Sequence, residues 1–306
     1  LAPIKMRSRL LSIAIYLAAG ASGLLALLYP FFQPALQAGQ AAPGQLRAGE
    51  MPVMMTLLLG LCVVVLLAEA QGQALSTRLV ALLGVLVALN SALRFLETAI
   101  PGPGGFSPMF FLIILVGYVF GGRVGFLMGA LTLLVSALVT GGVGPWLPGQ
   151  MFTAGWVGMS TPLLRPLVRV VQRGLGRLRR GLSSAGKHAG LTAEVLALAA
   201  FGVFWGFLYG GLMNLWEWPF IAGPQTQSWA VGMSLLDGLR RYAAYYLVTS
   251  LVWDLAGAAG NLLLMLAFGA PALRALKRFR QRFTFVYRRS ADVGVAPDAQ
   301  PLGKAI

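Results

Sequence analysis

Eight apolar runs divide the chain, at 10–32, 51–70, 79–100, 107–120, 124–140, 147–164, 191–213 and 242–268, and glycine, proline or basic residues bound most of them. About 20 apolar residues in a helix cover the ~30 Å hydrocarbon core of a bilayer, so runs of this length predict membrane-spanning helices. The run at 107–120 holds 14 residues and predicts a tilted or buried helix instead. The pattern predicts an all-α polytopic membrane helix bundle. The first two runs hold almost no polar residue except Glu69, and a polar loop over 33–50 joins them. They are expected to form a two-helix hairpin over 1–78, followed by a six-helix membrane core over 79–283. The Ala/Pro/Gly-rich tail over 284–306 is expected to be disordered. The first run is long enough to span and no small-residue cleavage site marks it as a signal, so it is read as a retained helix.

The stretch from Gly141 to Ser160, GGVGPWLPGQMFTAGWVGMS, joins two apolar runs and is the most informative on the chain. Its Gly/Pro-rich turn sets Trp146 and Gln150 at the mouth of the second run, which continues in the small residues Ala154, Gly155 and Gly158. Helix-breaking residues beside a tryptophan and an amide are expected where backbone and side chains line a cavity, since lipid would leave such backbone unsatisfied. A re-entrant hairpin with an interfacial tryptophan is the alternative.

Composition agrees with the pattern. Hydrophobic residues make up 58%, charged residues 11%, and mean hydropathy is +0.76, against about 25% charged residues in soluble domains. The net charge of +15 would suggest nucleic acid for a soluble chain. Here the basic residues lie between the apolar runs and act as topology signals, which removes nucleic acid as a partner. Placing the N-terminus in the cytoplasm puts 20 of the 24 basic residues inside, with only Arg47, Arg94, Arg240 and Arg241 outside or in the outer half. The expectation is a plasma-membrane protein with both termini cytoplasmic. Arg165, Arg169, Arg173 and Arg177 recur every four residues, so the sixth helix is expected to run on into the cytoplasm with a basic face against anionic lipid headgroups. A docking surface for a cytoplasmic partner is the alternative.

The third run has two faces. Gly84, Ala88 and Ala92 fall within about 80° of arc, while Asn90, Arg94 and Glu97 fall within about 60° on nearly the opposite side. A small-residue stripe lets another membrane helix approach closely, and ionisable groups at this depth face a protein interior or a wet cavity. An Arg94/Glu97 pair that neutralises itself is the alternative. Arg94, Trp146, Gln150, Asn214, Trp216 and Tyr246 come from four runs whose relevant ends point outward in this topology. Together they suit a flat, largely apolar ligand with amide or hydroxyl edges. Asp254 and Asn261 lie beside the aromatic face formed by Tyr242, Tyr246, Thr249 and Trp253 of the last run, and a buried Asp254 needs a partner or a proton.

Several chemistries are missing. The single histidine, His188, lies in a predicted cytoplasmic loop, and the single cysteine, Cys62, lies in an apolar run. No metal centre, cofactor or histidine-based catalytic site is therefore expected. No GxxxxGK[ST] phosphate loop is present, so energy for active transport would come from another subunit. Two further readings use other residues: a lipid-directed membrane enzyme built on Arg94, Glu97, Glu217, Asp237 and Asp254, and a scaffold using the basic cytoplasmic face.

The run 110–160, with its GYVFGGRVGF turn, GxGPWxPxQM element and following GWVGM, resembles the substrate-binding S components of energy-coupling factor (ECF) vitamin transporters. The last apolar run and its basic extension, SLVWDLAGAAGNLLLMLAFGAPALRALKRFRQRF, look like the C-terminal part of the same family. This resemblance implies a six-helix membrane subunit, not an enzyme, that binds a vitamin at an outward-facing site. It also implies partnership with a transmembrane coupling subunit and two cytoplasmic ATPases, besides membrane lipid. In that family a small-residue stripe on the first core helix meets the coupling subunit, and Gly84, Ala88 and Ala92 match it in type. The GPWxPxQM element is most similar to cobalamin-associated S components, with riboflavin or thiamine as alternatives.

Overall fold

The computed structural model describes residues 77–99, 108–178, 186–221 and 223–283, with isolated positions between 20 and 31 and at 60. All secondary structure among the described residues is helical, as the hydrophobic pattern predicts. The helices are α1 (Thr77–Ala99), α2 (Met109–Phe120), α3 (Gly122–Thr140), α4 (Leu147–Ser160), α5 (Leu164–Leu178), α6 (Gly186–Glu217), α7 (Leu235–Thr249) and α8 (Leu251–Phe283). Stretches long and apolar enough to cross a membrane are Thr77–Phe95, Gly122–Thr140, Leu191–Phe220 and Leu251–Gln281. The 12-residue α2 is too short to span, but only Phe111 and Phe120 in it are not fully buried. The protein around it takes the place of lipid.

Two predicted helices divide. The run at 147–164 ends as α4 at Ser160, and the 3-10 turn Thr161–Leu163 leads into a separate α5. Ser160 Oγ donates to the Trp156 carbonyl at 2.6 Å and Thr161 Oγ1 to the Val157 carbonyl at 2.8 Å. Such back-bonded hydroxyls bend helices, and Pro162 then removes a donor. The run at 242–268 also divides, at Ser250 (φ −134°, ψ −25°), between α7 and α8. There Thr249 Oγ1 donates to the Tyr245 carbonyl at 2.8 Å and lies 3.0 Å from Ser250 Oγ. Tyr242, Tyr246 and Thr249 therefore belong to one helix and Trp253 to the next, not to one shared face. Helix α7 begins well before residue 242, at Ser234, whose side chain accepts from the Asp237 amide at 3.2 Å.

Glycines lock α2, α3 and α4 together. A Cβ at Gly158 would stand 2.1 Å from the Gly125 carbonyl oxygen, and one at Gly129 would stand 2.1 Å from the Ala154 oxygen. The helices thus meet backbone to backbone, which only small residues permit. This corrects the expectation that Ala154, Gly155 and Gly158 line a cavity: Ala154 is fully buried, Gly155 closes on the Phe126 ring and Gly158 on Gly125. Gly121, at φ +108° and ψ 167°, ends α2 and starts α3 without a loop. That backbone region is essentially reserved for glycine.

Part of the first apolar run packs on this bundle. Leu27 is buried, a Cβ at Gly23 would meet Trp156 at 2.4 Å, and Phe31 stands edge-on to Trp218 and Trp229 at 6.4 and 5.8 Å. The predicted second run, apart from Gly60, the loop at 33–50 and the tail at 284–306 lie outside the described residues.

Candidate functional site

A cavity of about 360 Å³ lies among α1, α2, α4, α6 and α8, towards the end of the bundle that carries Trp146 and Trp216. Gly206 and Gly210 on α6 and Gly257 on α8 are among its lining residues, and the first two let α8 approach closely at Ala258 and Asp254. Its apolar wall includes Met109, Phe110, Tyr209, Met213 and Trp253, with Phe110 and Tyr209 in edge contact at 4.9 Å between ring centres. Its polar wall is built by Arg94 from α1, Gln150 from α4, Asn214 from α6, and Asp254 and Asn261 from α8.

Each polar group has a distinct setting. Arg94 sits one turn beyond Asn90, a fully buried amide whose Nδ2 donates to the Met109 carbonyl at 3.1 Å and Thr132 Oγ1 at 3.3 Å. These bonds tie α1 to α2 and α3 and so fix the rotation of α1 that turns Arg94 to the cavity. Arg94 Nη1 also lies 3.7 Å from Met109 Sδ. Asn214 Nδ2 donates to the Gly210 carbonyl at 2.9 Å. Asp254 accepts from Tyr246 Oη at 2.6 Å, and a Cβ at Gly210 would collide with its carboxylate at 2.0 Å. Tyr246 Oη is the donor in this bond. The cavity thus presents a cation and a carboxylate between aromatic rings. This arrangement can hold a polar heterocycle.

The predicted site residues divide. Arg94, Gln150 and Asn214 line the cavity together. Tyr246 stands one step behind, holding Asp254. Trp216 is buried against Phe220, with ring centres 5.1 Å apart, and packs beside Gly149. Trp146 is 43% exposed and donates Nε1 to the Gly142 carbonyl at 3.3 Å. Neither tryptophan is among the lining residues. On α1, Gly84, Ala88 and Ala92 all face outward, and a Cβ at Gly84 would meet nothing within 4 Å. The side chain of Glu97 lies outside the described residues. Phe110 and Tyr209 carry no sequence signal that separates them from core aromatics. Asn261, a lone amide in the apolar run GNLLLMLAFG, does carry one.

The opposite end of the bundle is basic. Arg165 Nε donates to the Tyr118 carbonyl at 2.9 Å and Arg280 Nη1 to the Val119 carbonyl at 2.7 Å, so two arginines from other helices satisfy the last carbonyls of α2. Burial, and then the neighbouring Arg280, push Arg165 below its ordinary pKa. Arg165 therefore leaves the predicted basic stripe and turns inward, while Arg169 and Arg173 stay exposed. Nearby, Lys277 pairs with Glu194 at 2.5 Å, and Tyr118 Oη donates to the same carboxylate at 3.3 Å. No group of three or more metal-ligating side chains occurs among the described residues.

Residues 78–269 match the family model described as ECF transporter, substrate-specific component. Comparison with curated proteins gave no match, and comparison with solved structures gave none.

Proposed function

The chain belongs to the family of ECF transporter substrate-specific components, and on that premise we propose that it captures a vitamin-class micronutrient in the cavity lined by Arg94, Gln150, Asn214 and Asp254. Family membership makes it a transporter's substrate-binding subunit within a multi-pass membrane protein, associated with an ECF module of membrane subunit and ATPases. The rest is our reading. With both termini cytoplasmic, as the basic residues favour, the cavity opens outward. The ATPases of the module then drive delivery to the inside.

One observation carries this reading: four helices converge a cation, a carboxylate and three amides on a cavity walled by aromatic rings. Arg94 would bind an anionic or carbonyl group of the ligand, Gln150 and Asn214 would hydrogen-bond its edges, and Phe110, Tyr209 and Trp253 would pack on its rings. Tyr246 orients Asp254, while Trp146 and Trp216 serve as rim and support. The GPWxPxQM likeness favours cobalamin. The cavity, at about 360 Å³, lies at the low end of the ~300–1,000 Å³ usual for small-molecule sites. We therefore favour a compact ring system of the riboflavin or thiamine kind over a corrin. The outward stripe of Gly84, Ala88 and Ala92 would meet the coupling subunit.

The test is to purify the chain in mild detergent and record the absorption spectrum and mass of any co-purified small molecule. A flavin or thiamine at about one per chain supports the compact ligand. A corrin spectrum restores cobalamin. A chain that arrives empty and ignores all three vitamins when they are added sinks the binding role and favours a scaffold.

A further inference from the structure

Asn261 stands apart among the described residues. Its side chain is 2% exposed, and neither Oδ1 nor Nδ2 has a hydrogen-bond partner in the protein. Burying an amide with both ends unsatisfied is costly, and folded proteins avoid it. Asn90, equally buried in the same bundle, donates Nδ2 twice and leaves only Oδ1 without a partner, so Asn261 is the one described amide here with both ends unpaired. The backbone of Asn261 is enclosed: a Cβ at Gly202 on α6 would touch both the Asn261 Cβ and Ile114 at 3.5 Å. Asn261 is nevertheless one of the residues that line the cavity, on the same helix as Asp254.

We infer that Asn261 is a specificity-determining residue of the cavity, and that its amide pairs with a ligand edge carrying one N–H donor beside one acceptor. An asparagine amide offers such a pair in one plane. The ligands it selects are lactams, imides, aminopyrimidines and primary carboxamides. The inference rests on the reading of the cavity as a ligand site. It adds which chemical edge that site recognises. An analogue without that edge would leave the amide unsatisfied in the bound state, and sites built on such hydrogen bonds reject such analogues strongly.

Riboflavin, thiamine and cyanocobalamin carry this edge as an imide, an aminopyrimidine and primary carboxamides. Each is titrated calorimetrically in detergent against the native chain and Asn261→Leu, and thermal unfolding of both proteins is recorded without ligand. Leucine keeps asparagine's branching and number of heavy atoms and removes two unpaired polar atoms. The ligand-free variant is therefore expected to unfold at the same temperature or higher. At least one probe binds the native chain, and the variant binds it roughly 10- to 100-fold more weakly. Equal affinity of variant and native chain overturns the inference and leaves the cavity's function standing. No binding of any probe to the native chain overturns both. Asn261→Ala, which only removes atoms, is titrated alongside and read by its affinity alone if the leucine variant does not fold.

Discussion

Tyr246 and Asp254 are joined across a break in the chain, with Tyr246 Oη 2.6 Å from Asp254 Oδ2 and Ser250 between the end of α7 and the start of α8. One hydrogen bond thereby connects a helix outside the cavity wall to a carboxylate inside it. Hydrogen bonds to charged groups contribute about 1.5–3 kcal/mol. Tyr246→Phe keeps the ring and frees the carboxylate to rotate, so affinity for the co-purified ligand should fall about tenfold. Titration of the two proteins measures this, and unchanged affinity would mean that the carboxylate's orientation does not matter.

Glycines at two positions should respond in opposite ways. Gly158→Ala puts a methyl group 2.1 Å from the Gly125 carbonyl oxygen, where neither backbone can yield cheaply. Overpacking of this kind costs about 1–3 kcal/mol or more. Gly84→Ala meets open space and should be neutral or stabilising by up to about 1 kcal/mol through helix propensity. Thermal unfolding in detergent separates the two, and equal midpoints would contradict the packing described for α3 and α4.

Ala88 lies exposed in the middle of the outward stripe on α1, away from the cavity. Ala88→Trp is expected to leave ligand affinity within about twofold while abolishing uptake and recovery of the coupling subunit on affinity purification. The close approach that small residues permit is lost with a bulky ring. Loss of ligand binding as well would remove the separation between the two faces of α1.

Arg165 satisfies carbonyls at the end of α2 through Nε and Nη2. Arg165→Gln cannot reproduce that fork, and each partly buried carbonyl left without a donor costs about 1–3 kcal/mol. The prediction is a lower unfolding midpoint with unchanged ligand affinity, since the ligand cavity lies at the other end of the bundle. A drop in affinity of more than about threefold would indicate that the two ends are coupled.

Apolar periodicity made α1, α2, α3 and α6 legible in the sequence to within a few residues, because a continuous apolar stretch bounded by breakers leaves one solution in a bilayer. It hid the break at Ser250, where the apolar run is unbroken and local hydroxyl bonds decide. Arg94, Gln150 and Asn214 were legible as cavity residues because polar groups at that depth need a reason. Trp146 and Trp216 fall outside the cavity lining, and an aromatic ring at a membrane boundary looks the same in sequence whether it faces a ligand, lipid or the next loop. The glycines of GYVFGGRVGF and GWVGM were visible as a family signature, but their role as contact points depends on which helices cross. Spacing along one chain does not contain that information. Asn261 was noticed as an amide, yet its lack of protein partners is a three-dimensional property.

The unequal helix lengths have a mechanical consequence. The helical stretches Leu191–Phe220 and Leu251–Gln281, 30 and 31 residues long, extend about 45 Å at 1.5 Å per residue. Those of α1 and α3, 19 residues each, extend about 28 Å. The long pair packs together, as does the short pair, so the molecule is tall on one flank and low on the other. A ~30 Å hydrocarbon layer matches the low flank, and the tall flank overhangs it at the end where α8 carries Arg274, Lys277, Arg278 and Arg280. The overhang keeps those four charges at the headgroups and out of the hydrocarbon, so the tall flank is pinned by its basic end.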